Sequence, residues 1–167
     1  MKQEKSKISV LMSVYKKENP EYLRASLESI LVQTRTADEI LLIEDGPLTQ
    51  ELYQVVAEYQ KKCDYLHVHA MEQNVQLGRA LAKGVELCQY DLIARMDTDD
   101  IAMPHRLEKE GAYMEAHPEV DVVGGAIREF NDEGTIDRVK NMPKTQEEIL
   151  EYVKVRNPLN HMTVMYR

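Results

Sequence analysis

Cysteine is scarce: Cys63 and Cys88 are the two in 167 residues, and no CxxC pair occurs. A thiolate zinc site is therefore not indicated, and two free thiols in a reducing compartment are expected. Long apolar runs are missing too. The opening MKQEKSKISVLMSVYKK has an apolar run of about seven residues, too short for a signal-peptide core with its cleavage site. No stretch approaches the ~18 apolar residues of a spanning helix. Positive charge is in short supply, with 21 Lys+Arg against 29 Asp+Glu and a net charge of −8. That disfavours a nucleic-acid backbone or an anionic membrane as partner. It does not count against a nucleotide held through a metal ion, because the ion supplies the positive charge. There is no internal repeat and no low-complexity segment. Neither G-x-G-x-x-G nor G-x-x-x-x-G-K-[ST] occurs, so a dinucleotide fold and a P-loop lack their fingerprints.

What is present is ordinary for a globular chain: 43% hydrophobic and 30% charged residues, a balance that argues against disorder. The length suits one domain, 1–167, with a core that needs no disulfide or metal staple. A cytoplasmic, soluble chain is expected. Membrane association is expected only through segments beyond this chain, which for a full-length protein would place it at the inner face of the cell membrane.

Strand and helix alternate along the sequence. Lys7–Val14 (KISVLMSV) is short, apolar and β-branched, as a buried strand is. Asn19-Pro20 opens a helix with Leu23, Leu27, Ile30 and Leu31 on one face. Glu39–Ile43 is a second strand, ended by Glu44-Asp45-Gly46-Pro47, and a polar helix follows over Thr49–Lys61. Tyr65–Ala70 is a third strand, on which His67 and His69 share one face as structural residues. Leu77–Cys88 is a helix weakened by Gly84. Asp91–Met96 is a fourth strand running into Asp97-Thr98-Asp99-Asp100. Pro104–His117 is a helix, and Val120–Phe130 a strand with an irregularity at Gly124-Gly125. Gly134–Lys140 returns as its hairpin partner through a turn at Asn131-Asp132-Glu133-Gly134. Thr145–Val155 is a helix with a capping box between Thr145 and Glu148.

Four βα units in the first 117 residues imply a mostly parallel α/β sheet with helices on both faces. Ligands in such sheets bind beyond the carboxyl ends of the strands. That rule selects Ser13-Val14-Tyr15, Glu44-Asp45-Gly46 and Asp97-Thr98-Asp99-Asp100. Carboxylates gathered at one sheet edge repel unless a positive charge lies between them, and Mg²⁺ or Mn²⁺ prefers oxygen ligands. One carboxylate of the Asp97–Asp100 cluster would bind the metal while a neighbour holds a ribose hydroxyl or a metal-bound water. Tyr15 could stack on a base whose imide N–H donates to Asp45. The plainer alternatives are a turn residue at Asp45 and a core or surface aromatic at Tyr15. His161, in the loop Asn157-Pro158-Leu159-Asn160-His161, is a candidate for the active cleft.

Two runs, ISVLMSVYKKENPEYLRASLESILVQTRTADEILLIEDG and ARMDTDDIAMPHRLEKE, resemble the nucleotide-sugar-binding half of a glycosyltransferase family 2 enzyme of GT-A fold. VVGGAIREF and RNPLNHMTVMYR resemble the branch that builds bacterial capsular polysaccharides and exopolysaccharides. The resemblance covers nearly the whole chain. It implies a Rossmann-like sheet open at its C-terminal end, a UDP-sugar or similar donor, a glycan or lipid-linked acceptor, Mn²⁺ or Mg²⁺, and transfer with inversion. By that analogy Asp45 reads the base and Tyr15 lies in the first nucleotide-contact loop, with Ser13 beside it at the strand end as a further nucleotide-binding candidate. Asp97 and Asp99 are the metal and ribose acids of a D-x-D motif, and Asp100 is an extra acid. Where many relatives carry an Arg-Asn pair, this chain has Gly78-Arg79-Ala80-Leu81-Ala82-Lys83-Gly84, so Arg79 or Lys83 is the candidate cation. The family's general base lies downstream of the NPLNH-type segment, so the chain is expected to stop before the acceptor half; within the chain the candidates are His161 and, after it, Asp100 and the acids of the Val120–Asp137 region.

Three other readings remain. Asp97-x-Asp99 after an apolar strand imitates the nucleophile motif of haloacid-dehalogenase-type phosphatases, although that motif sits on a first strand. A non-catalytic nucleotide-binding module is the second. A nucleotidyltransferase is the third, but its Gly-rich phosphate loop is missing.

Overall fold

The computed structural model describes residues 5–131 and 136–167. Its elements run β1 (Ile8–Val14), α1 (Pro20–Leu31), β2 (Glu39–Glu44), α2 (Gln50–Lys62), β3 (Leu66–Ala70), α3 (Leu77–Leu87), β4 (Leu92–Asp97) and α4 (Arg106–Ala116). There follow β5 (Val122–Val123), β6 (Ile127–Phe130), β7 (Asp137–Lys140), α5 (Gln146–Tyr152), a 3₁₀ turn at His161–Thr163 and β8 (Met165–Tyr166). Six strands form one sheet in the order β3-β2-β1-β4-β8-β5. The first four are mutually parallel, and β8 lies antiparallel to both β4 and β5.

The alternation of β1 sorts its side chains to two faces. Ile8, Val10, Met12 and Val14 share a core with Leu23, Leu27 and Ile30 of α1, with α2, and with Leu107 and Met114 of α4. On the other face Leu11 packs with Leu41, Ile43, Ile93 and Ala80 of α3. The expected helices on both faces are thus present, three on one side and α3 on the other. At Gly84 α3 lies close against the sheet: a Cβ there would meet the side chains of Leu11 and Ile43.

The helix starts follow their sequence signals. The Asn19 side chain accepts from Glu21 N with Pro20 in the first turn, Thr49 caps α2, and Thr145 and Glu148 form both halves of the capping box of α5. That last helix is shorter than expected.

One expected strand is corrected. Val120–Phe130 is split at Gly124-Gly125. Val122–Val123 joins the main sheet, and Ile127–Phe130 pairs antiparallel with Asp137–Lys140 in a separate hairpin. The split has a physical reason: the Gly125 N–H donates to Thr163 Oγ1 at 2.9 Å instead of continuing a ladder. The hairpin's turn lies in part outside the described residues. No helix among the described residues is long and apolar enough to cross a membrane.

Candidate functional site

Parallel register brings the carboxyl ends of β1, β2 and β4 side by side: Ser13 pairs with Ile43 on one side and Asp97 on the other. Three segments of the sequence, far apart along the chain, therefore meet at one edge.

After β2, Asp45 is buried. Its Oδ2 accepts from Asn74 Nδ2 at 2.9 Å and its Oδ1 from Val75 N at 2.6 Å. Both oxygens thus fasten the segment entering α3, and an imide donor would share an oxygen already in use. Gly46, at φ +84°, makes this approach possible, since a Cβ there would lie 2.5 Å from Asn74 N. Gln76, which immediately precedes α3, has φ 74° and ψ 152°, a region that costs a residue with a Cβ roughly 1–3 kcal/mol. Strain is therefore concentrated at this loop. Tyr15 is exposed beyond β1 and Ser13 half-buried. Arg79 is exposed on the first turn of α3, while Lys83 pairs with Glu86 at 3.0 Å.

After β4, one carboxylate oxygen each from Asp97, Asp99 and Asp100 lies within 4.8 Å of the others. An all-oxygen set of this spacing fits Mg²⁺ or Mn²⁺. Burial, and then the neighbouring Asp97 and Asp99, push the Asp100 carboxyl up to about 6. Asp99 is exposed. Asp97 Oδ1 accepts from Arg95 Nη2 at 2.5 Å, and its Oδ2 lies 3.9 Å from His161 Nδ1. His161 is therefore at the acid cluster, brought there by its own loop. The Asn160 side chain is buried and donates to Gly125 O, and Thr163 Oγ1 donates to Asn160 O at 2.8 Å.

Several residues that build the site were not picked out in the sequence. Ser26 Oγ donates to Asp97 O at 2.9 Å. Ser29 Oγ accepts from Ala102 N at 3.0 Å. Gln33 Nε2 donates to Met103 O and its Oε1 accepts from Leu107 N. Two polar residues of α1 and Gln33 just beyond it thus hold the acidic loop from Asp97 to Leu107. The available signal was polar residues at 26, 29 and 33, spaced as one helical face beside the apolar one. Arg95, an arginine inside an apolar strand, was the other missed signal.

Behind the cluster, Arg106 donates to the Arg95 carbonyl at 2.7 Å and pairs with Glu110 at 3.2 Å. Burial pushes the Glu110 carboxyl up to about 7 in spite of that arginine.

An acid cluster at the tip of a parallel α/β sheet, with the ends of β1 and β2 beside it, is an arrangement that suits a nucleotide-dependent transferase. The comparisons agree: the family model for glycosyl transferase family 2 matches residues 9–167, and the chain belongs to that family. It is 44% identical over 159 residues to the amylovoran biosynthesis glycosyltransferase AmsE of Erwinia amylovora, covering 95% of this chain and 59% of that protein. It is 34% identical over 173 residues to the Escherichia coli UDP-Gal:alpha-D-GlcNAc-diphosphoundecaprenol beta-1,3-galactosyltransferase, covering 100% of this chain and 60% of the relative. The chain spans about three fifths of the length of these curated relatives. The crystal structure of S. aureus TarS 1-349 in complex with UDP-GlcNAc superposes with a TM-score of 0.73 at 21% identity, over 96% of this chain and 45% of that one. The fold is the expected GT-A sheet.

Proposed function

We propose that this chain is the donor-binding part of a metal-dependent, inverting glycosyltransferase that takes sugar from a nucleoside diphosphate, UDP foremost, and passes it to a glycan or lipid-linked acceptor. The observation that carries the proposal is the convergence of Asp97, Asp99 and Asp100 within 4.8 Å at the strand edge shared with Ser13 and Asp45. The relatives support the choice of substrates, since one is named for a UDP-Gal donor and a diphosphoundecaprenol-linked acceptor.

In this reading Asp99 and Asp97 hold Mn²⁺ or Mg²⁺, which supplies positive charge to the diphosphate as it leaves. Tyr15 stacks on the base, Asp45 and Ser13 fix the nucleoside, and Arg79 contributes charge from the first turn of α3. The general base is assigned to the part of the relatives' length that this chain does not span, with His161 the candidate within the chain. The full-length protein is placed in the cytoplasm, at the inner face of the membrane where a lipid-linked acceptor is reached.

Thermal unfolding tests the proposal. UDP with Mn²⁺ is expected to raise Tm more than either alone, because a ligand at a hundredfold excess over Kd stabilises the native state by ~2.7 kcal/mol. No shift at millimolar UDP and Mn²⁺ would refute it.

A further inference from the structure

Arg95 lies on β4 two residues before Asp97, on the face turned toward α3, and is 4% exposed. Its Nη2 meets Asp97 Oδ1 at 2.5 Å. Its Nε and Nη1 are buried without a hydrogen-bond partner. A guanidinium so placed is a cost to the fold, since a buried charge is tolerated when its donors are satisfied and here two nitrogens are not. An apolar side chain of similar length would fill the strand position without that cost. The charge therefore calls for an explanation in the site it touches.

Charge counting supplies one. Asp97, Asp99 and Asp100 bring three negative charges when ionised. One divalent cation leaves the cluster at minus one, which repels a diphosphate. Arg106 is not bonded to these acids: its guanidinium goes to the Arg95 carbonyl and to Glu110. Arg95 is bonded to Asp97: with it the metal-loaded cluster is neutral, and the diphosphate meets no net repulsion. We propose that Arg95 is the buried counter-charge that lets the acid cluster accept a nucleoside diphosphate through a single divalent ion. The inference rests on the donor-site reading above and adds to it a residue outside the D-x-D run.

The role carries a signature of opposite signs. Arg95 competes with a cation for Asp97 and favours an anion. Arg95→Met is expected to bind Mn²⁺ alone several-fold more tightly than wild type, and UDP at saturating Mn²⁺ about tenfold more weakly. A unit charge a few ångströms away in a partly buried site has that size of effect. Arg95→Lys keeps the charge and is expected to hold both affinities within about threefold of wild type. Arg95→Gln still donates to Asp97 without the charge. It carries the same expectation as Arg95→Met and replaces it if that variant fails to fold. Calorimetric titration of Mn²⁺, then of UDP into the Mn²⁺-loaded chain, reads both constants. If the two affinities fall together, if neither changes, or if lysine fails to rescue, Arg95 is structural and the inference is overturned. If wild type itself binds no UDP with Mn²⁺, the donor-site reading falls, and the inference with it.

Discussion

Asp99 and Glu110 show how differently two acids near one edge can behave. Asp99 is exposed, so its charge is available to a ligand and of little use to the fold. Asp99→Asn keeps the shape and loses a charged oxygen. It is expected to unfold at the wild-type temperature without metal and to lose most of the Mn²⁺-dependent shift with UDP; a full shift would move the metal assignment to Asp97 and Asp100. Glu110 is the reverse case, held near 7 by burial. Asp100 is raised to about 6 in the same sense. A carboxyl whose folded pKa exceeds its unfolded value binds more protons in the native state, so stability falls as pH rises through that interval. Without metal, Tm is therefore expected to decline from about pH 5 to pH 8, and Glu110→Gln to flatten the upper part of that decline. Glu58, drawn down to about 2 by Lys62 and Arg24, acts oppositely but only below the ordinary Glu range. A Tm that rises steadily from pH 5 to 8 would contradict both assignments.

At the scale of elements, α1 and α3 do different work for the same edge. The buried Ser26 and Ser29 of α1, with Gln33 just beyond it, tie down the acidic loop, so this helix is at once core and scaffold for the site. On the opposite face α3 depends on closeness. Helix propensity alone predicts that Gly84→Ala gains about 1 kcal/mol. The close approach to Leu11 and Ile43 predicts the opposite, because both are fully buried and overpacking costs typically 1–3 kcal/mol. Gly84→Ala is expected to lower Tm, whereas Gly78→Ala, with nothing within 4 Å of its added Cβ, is expected to leave Tm unchanged or raise it. Urea or thermal unfolding of the two variants side by side decides which effect governs.

At the scale of the whole molecule, the chain brings together three strand ends of one sheet and about three fifths of its relatives' length. On the proposed reading these strand ends bind donor, and the base and the acceptor contacts belong to the two fifths of the relatives' length that the chain does not span. Loss of a positioned base typically costs ~10²–10⁴-fold in rate, and loss of acceptor positioning adds to it. UDP release from UDP-sugar by residues 1–167 is expected to be slow and indifferent to acceptor. Turnover equal to that of a longer protein supplied with acceptor would place the base within these residues and make His161 the first to substitute.

The sequence by itself determined the order of the elements and the sites at their ends. Short β-branched runs, Asn19-Pro20, Thr49 and the Thr145/Glu148 pair are local signals, and each acts within a few residues of where it is written. They sufficed to put Asp45 after β2 and Asp97–Asp100 at the end of β4, and the family motif gathered these into one expected donor site. What local signals do not carry is which distant atoms meet. The division of Val120–Phe130 between two sheets was decided by Thr163 and Asn160 bonding to Gly125. Both oxygens of Asp45 were claimed by Asn74 and Val75. Arg95 is buried in a sheet where β4 lies between β1 and β8, partners about 80 residues before and 70 residues after it. These are contacts across tens of residues, fixed by the register of parallel strands and the packing of helices upon them, and no window of sequence contains both partners.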